Sequence, residues 1–316
     1  MKFNQLDLLR GYAAFAVVLY HFLYHFFNVF SLDGGHVFFA LGKFGVALFF
    51  ILSGFLISTT LTRSRPFNFL LRRAIRLLPT FAACCFITYG VILATGFNYR
   101  GVDIFDFLAN FLIFPSWFGF TFVDGSYWTL EYEWVFYLIC FFSYAFLSYM
   151  YHFISIFLLG MCLIRIFYVD LFPDSFVLGG GSLLFLLGVS IAKIYQLKTL
   201  KNTYFCLIFV ALFLLYITEK YWFVYFSLTF IFVLAVYERL IWLDNFIFRF
   251  LAKISYPLYL LHQSIGFTAI IYLNSIGLSY FWSISISILL ILILSLIVHH
   301  EVELKLTLKL KNMIKL

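Results

Sequence analysis

The sequence predicts an all-α integral membrane protein of about ten transmembrane helices, with both termini cytoplasmic, and three observations carry that prediction. The first is composition: of 316 residues, 65% are hydrophobic and 11% charged, with a mean hydropathy of +1.04, whereas soluble domains carry about 25% charged residues. The second is the recurrence of apolar stretches long enough for a hydrocarbon core of about 30 Å. They lie near residues 6–30, 42–62, 77–96, 126–148, 150–169, 177–196, 202–218, 221–237, 252–273 and 279–300. The third is charge. Threading those spans puts seventeen of the 21 lysines and arginines on one side and leaves Lys43, Arg100, Arg165 and Lys220 on the other, a positive-inside bias that an odd number of spans would scramble.

The opposite loops hold Asp33, Asp103, Asp106, Asp124, Asp170, Asp174 and Glu219. The formal charge of +7 thus belongs to inside loops, and no nucleic acid partner is called for. Residues 1–316 read as a single membrane-embedded domain, without a fixed-period repeat or a Pro-, Ser- or Gly-rich linker. Five cysteines lie within apolar segments, with no C-x-x-C pair or Cys/His cluster, so neither disulfides nor a metal site is expected.

The first span carries Asp7 and Arg10 at its start and His21 near its middle. It lacks a clear small-residue cleavage site and returns directly into another span, which argues against a secretory signal. A charged or strongly polar group at bilayer depth costs roughly 2.5–3.5 kcal/mol on insertion scales and marks a functional position. At 100° per residue, Asp7, Arg10, Ala14 and His21 share one stripe, with Arg10 about 16 Å from His21 along the axis. The second span places Gly45, Ser53 and Gly54 in an apolar run, suited to close helix approach or to passage of a slim ligand.

Before the third span, Arg72, Arg73 and Arg76 are i,i+3 and i,i+4 neighbours. Their planar forks suit the paired oxygens of phosphate; the plainer reading is an anchor on lipid headgroups. Residues 104–120 are apolar but short and broken by Pro115 and Gly119, which reads as a re-entrant or interfacial segment.

The fourth span opens with Trp128, Glu131, Glu133 and Tyr137. Glu133 and Tyr137 share a face, whereas Glu131 lies about 200° round the helix, so that one carboxylate faces a polar interior while the other snorkels or pairs elsewhere. In the fifth span Arg165 is expected to pair with Asp170 or Asp124, or to bind an outward substrate. The ninth carries Ser255, Tyr259 and His262 on one face at i, i+4 and i+7. The tail after Ile297 reads as an amphipathic helix on anionic lipid.

Taken together, the chain resembles the membrane acyltransferase-3 family, whose members include bacterial O-acetyltransferases of surface polysaccharides. The matching pieces are Leu6-Asp7-x-Leu9-Arg10-Gly11-x-Ala13-Ala14 followed by His21; Phe49-Phe50-x-Leu52-Ser53-Gly54-Phe55-Leu56-Ile57; Arg72-Arg73-x-x-Arg76-x-x-Pro79; Trp128-Thr129-Leu130-x-x-Glu133-x-x-Phe136-Tyr137; and Ser255-Tyr256-x-x-Tyr259-x-x-His262. They occur in family order and span nearly the whole chain. Thr129 stands where Ser is commoner, and Glu303 lacks the proline that often follows in relatives.

The resemblance implies a ten-helix core in a bacterial cytoplasmic membrane. It implies that cytosolic acyl-coenzyme A, most simply acetyl-CoA, is the donor substrate, with no permanently bound cofactor, and that a sugar hydroxyl of a surface or lipid-linked glycan is the acceptor. On that reading Arg72, Arg73 and Arg76 hold the donor's phosphates, and Arg10 lines the entrance, oriented by Asp7. His21 acts as general base or takes the acyl group itself. Glu133 orients His21 or the acceptor, Trp128 and Tyr137 pack on a sugar ring, and Tyr259, His262 and Arg165 support the site. The protein either hands over the acyl group unaided or supplies a separate esterase-like partner outside the membrane. The rival reading is a transporter or flippase of a lipid-linked sugar, which also needs intramembrane polar groups; it would not turn over acetyl-CoA.

Overall fold

The computed structural model describes residues 4–147, 149–167, 178, 180–197 and 202–314, and among these all regular structure is helical. Helices occupy the predicted segments. Five are long and apolar enough to cross a membrane by length and composition: Asn4–Val29, Val37–Arg63, Pro66–Thr95, Met150–Phe167 and Tyr280–Met313. Gly181–Leu197, Asn202–Thr218 and Trp222–Val236 are apolar but shorter. Trp128–Phe146 and Phe246–Ser275 are long but diluted by polar side chains, among them Glu131, Glu133, Arg249, Lys253 and His262.

Several boundaries differ from those expected. The third helix starts at Pro66 rather than near residue 77 and continues through Pro79. Proline at the first helical position needs no N–H partner, and Leu and Arg are good helix formers, so the arginine cluster rides on the helix itself. The last helix runs unbroken from Tyr280 to Met313, 34 residues, or about 51 Å against a core of about 30 Å. The tail therefore extends the axis of that helix instead of starting a separate interfacial one. It is braced by Lys305 on Glu301 at 2.7 Å and His299 on Glu303 at 2.6 Å, both at i,i+4. Residues 104–120 form only a short helix, Ile104–Ala109, and two 3-10 turns, Asn110–Leu112 and Pro115–Phe118. Asp103 and Asp106 close a reciprocal capping box at its start, and Asn110 donates to Asp106 O and Thr121 O at 2.7 and 2.9 Å.

The chain divides into two units. The first comprises Met1–Arg10, Val46–Leu71 and Thr129–Asp244. Here a Cβ on Gly54 would stand 3.2 Å from the Gly188 Cα, so this small residue serves close backbone approach. Around it Phe50 stacks on Tyr132 at 5.7 Å and Phe136 on Phe185 at 4.3 Å. Lys193, expected among the inside loop charges, is instead 9% exposed. Its ammonium lies 3.0 Å from the centre of the Tyr151 ring and donates to Gln196 Oε1, partners that offset the loss of water.

The second unit comprises Gly11–Gly45, Arg72–Trp128 and Asn245–Leu316. Gly11 faces the helix Phe246–Ser275 so closely that a Cβ would stand 2.7 Å from the Leu251 carbonyl carbon. Tyr256 Oη donates to Leu77 O at 3.0 Å, tying the arginine-bearing helix to the same helix.

Candidate active site

In the second unit, the first helix widens into a π turn at His21–His25, immediately after Tyr20. The i→i+5 bond from Phe26 N to His21 O closes it, and such turns collect at functional positions because they turn side chains out of the regular register. The α-helical stripe through Asp7, Arg10 and Ala14 thus ends where the imidazole begins a different one.

His21 Nδ1 lies 2.9 Å from Val17 O and 3.1 Å from His262 Nε2. His262 Nδ1 lies 2.7 Å from Tyr259 O. Carbonyl oxygens only accept, so the network assigns an N–H to both Nδ1 atoms. The one His21 Nδ1–H is then shared between Val17 O and His262 Nε2. The lone pair of His21 is left on Nε2. His262 is fully buried at 0% exposure, whereas His21 is half-buried, so the buried ring orients the one that remains reachable. This gives Tyr259 a function through its main chain, and on the face of Ser255, Tyr259 and His262 it is His262 that supports His21, while Ser255 Oγ donates to Ala252 O at 3.0 Å.

A third participant, Asp124, was read from the sequence as a loop acid. It is wholly buried. Its Oδ1 accepts from Ser126 N and Oγ at 2.9 and 2.7 Å, and its Oδ2 accepts from Ser264 N at 2.7 Å. The carboxylate pins the loop before Trp128 to the helix just beyond His262. The Asp-Gly-Ser sequence is a turn signal, but nothing local in it points to Ser264, 140 residues away. Trp128 itself is exposed.

Arg72, Arg73 and Arg76 all lie in this unit, at the opposite end of their helix from residue 95; Arg72 and Arg76 are exposed and Arg73 is partly so.

The first unit holds the remaining residues. Glu133 Oε1 accepts from Ser53 Oγ at 3.2 Å and, in a short contact, from Tyr137 Oη. Tyr137 is 2% exposed, which makes it a support of Glu133 rather than a surface for a sugar. Glu131 is buried at 1% and so does not snorkel. Asp7 Oδ1 pairs with Arg10 Nη2 at 3.3 Å, at i,i+3. Of the two acids expected for Arg165, Asp170 lies outside the described residues, and Asp124 instead bonds Ser126 and Ser264. Arg165 pairs with Glu219 at 3.8 Å, because the helices Met150–Phe167 and Asn202–Thr218 end where these two side chains meet.

A buried imidazole that orients a second, reachable imidazole is suited to taking a proton from a hydroxyl or to attacking a carbonyl carbon. Comparison with known proteins narrows the chemistry to one group. The family model described as an acyltransferase domain matches residues 3–300, nearly the whole chain. Neither a curated relative nor a solved structure matches the chain. With the motifs running in family order and the two histidines in hydrogen-bond contact, the chain belongs to the membrane acyltransferase-3 family.

Proposed function

We propose that this acyltransferase moves an acyl group, most simply acetyl, from cytosolic acyl-coenzyme A to a sugar hydroxyl of a surface or lipid-linked glycan, across a bacterial cytoplasmic membrane spanned about ten times. The observation that carries the reading is the His21–His262 hydrogen bond, with the lone pair left on His21 Nε2.

In the base route, His21 Nε2 takes the acceptor hydroxyl proton as its oxygen bonds to the thioester carbon. The C–S bond then breaks, and the departing thiolate recovers that proton from Nε2 as free thiol. The imidazolium formed in between keeps its Nδ1–H on the neutral His262, which spreads the charge without placing a second cation beside it. In the covalent route the same Nε2 bonds to the thioester carbon as the C–S bond breaks and coenzyme A leaves as thiolate; the acceptor oxygen then takes the acyl group as the C–N bond breaks, and its proton goes to the thiolate. Arg72, Arg73 and Arg76 are assigned the donor's phosphates, with Arg10 held for the same purpose by Asp7; Glu133 is assigned the acceptor, on the strength of its place in the Trp128–Tyr137 motif.

The test is transfer of labelled acetyl from acetyl-CoA by purified protein, followed by rapid acid quench and mass spectrometry of the His21 peptide. Wild type should consume acetyl-CoA and His21→Ala should not. An acetylated His21 peptide selects the covalent route, and retained turnover in His21→Ala sinks the assignment.

A further inference from the structure

Beyond His21 the same unit carries a row of rings and cations that the transfer reaction itself does not use. His21 and His25 stand edge to face at 5.2 Å, His25 and Phe267 at 6.3 Å, and Phe267 and Tyr99 at 5.6 Å. Phe97 stacks on Tyr99 at 5.8 Å, and Phe30 touches both at 5.9 Å. Flat apolar faces of this kind suit the C–H faces of a pyranose ring.

The loop that presents Phe97, Tyr99 and Arg100 is rigid. Asn98 accepts from Val102 N at 2.9 Å and donates to Val102 O at 2.8 Å. Arg100 Nε donates to Phe122 O at 2.9 Å, so one edge of the guanidinium is fixed to the backbone. Its positive charge acts on both His25 and Tyr99. Tyr20 Oη lies 3.4 Å from His25 Nδ1, and either neutral tautomer of His25 carries one ring N–H. Arg100 and His25 therefore bring N–H donors to the aromatic wall, and among the described residues neither is paired with a carboxylate. A guanidinium held by its Nε, with no carboxylate partner among the described residues, is a fork for a carboxylate or a phosphate. It sits at the far end of the helix Pro66–Thr95 from the arginine cluster, which separates it from the anion site assigned to the donor.

We propose that Arg100 and His25, with the Phe97–Tyr99 wall, form the acceptor subsite and select an acidic glycan, one bearing a carboxylate or phosphate close to the hydroxyl that is acylated. This rests on the acyl-transfer reading of His21.

The experiment is saturation-transfer NMR on the purified full chain in a neutral detergent without sugar headgroups, using methyl glucuronide, methyl glucoside and glucose 1-phosphate. Glycerol phosphate serves as a lipid-headgroup competitor. The glucuronide and the sugar phosphate should bind and the neutral glucoside should not. Arg100→Gln should weaken both anionic sugars roughly ten-fold, Arg100→Lys should keep part of the preference, and Phe97→Leu should weaken the two anionic sugars to the same extent.

Equal binding of the neutral glycoside overturns the proposal. So does displacement of the sugars by glycerol phosphate at the same concentration as glucose 1-phosphate, since that marks a headgroup anchor. Should Arg100→Gln fail to fold, the wild-type series and Arg100→Lys decide the matter. Acetyl-CoA turnover by the same wild-type sample is read separately: an anionic preference without turnover keeps the subsite and removes the transfer reading.

Discussion

His21 Nδ1 lies 3.1 Å from His262 Nε2, across 241 residues of sequence. Because Tyr259 O claims the other nitrogen of His262, the pair has one arrangement of protons, and it presents the His21 lone pair on Nε2. Losing that order should be costly. His262→Gln should lower kcat for acetyl transfer by about 10²-fold with little change in the donor KM, the scale of losing a well-placed acid–base partner. Steady-state kinetics against acetyl-CoA would check it; unchanged kcat would make His262 a structural residue.

Arg73→Ala and Arg76→Ala should each raise the donor KM roughly 10-fold or more, as expected for losing a charge-assisted contact to phosphate, and the effect should shrink as salt rises. Kinetics at two salt concentrations, with desphospho-coenzyme thioester for comparison, separates phosphate binding from anchoring. Altered topology with unchanged KM would favour the anchor.

Asp124 satisfies three donors from a fully buried position. Asp124→Asn puts an amide donor where donors already converge and should destabilise the protein by about 1–3 kcal/mol, the cost of an unpaired buried polar group. It should also disturb the helix next to His262, so thermal unfolding and kcat should fall together. Full stability in the variant would show that the loop is held by other contacts.

Gly11 stands in the matched Arg10-Gly11 motif, and its role is steric. Gly11→Val would drive a side chain into the backbone at Leu251 and Ala252, parting the helices that carry His21 and His262. Loss of activity together with a lowered unfolding temperature is expected; a fully active, fully stable Gly11→Val would show that the helices tolerate separation.

Much of the helix layout was legible because it depends on quantities that are local in sequence. Hydropathy over about twenty residues marks an apolar helix, and the 3.6-residue period put Glu133 beside Tyr137, as their hydrogen bond shows. Charge placement was less well read at both extremes. The helix Pro66–Thr95 absorbs the arginine segment, since a helix does not stop where apolarity does, and Lys193 went inside because a tyrosine ring was there to receive it.

The site divides in the same way. Sequence alone marked His21, the arginine cluster, Glu133 and His262 as polar groups too costly to be idle in an apolar setting, since the energetic penalty is a property of each residue and its immediate neighbours. Only the tertiary structure decided who meets whom: His262 as the partner of His21, Asp124 as the clasp on Ser264, Glu219 beside Arg165. Those choices depend on which helices pack and at what register, set by close contacts such as Gly11 on Leu251 and by the π turn at His21. Partners brought together by packing leave no periodic trace in the residues between them, so a pairing across 241 positions is visible only once the chain has folded.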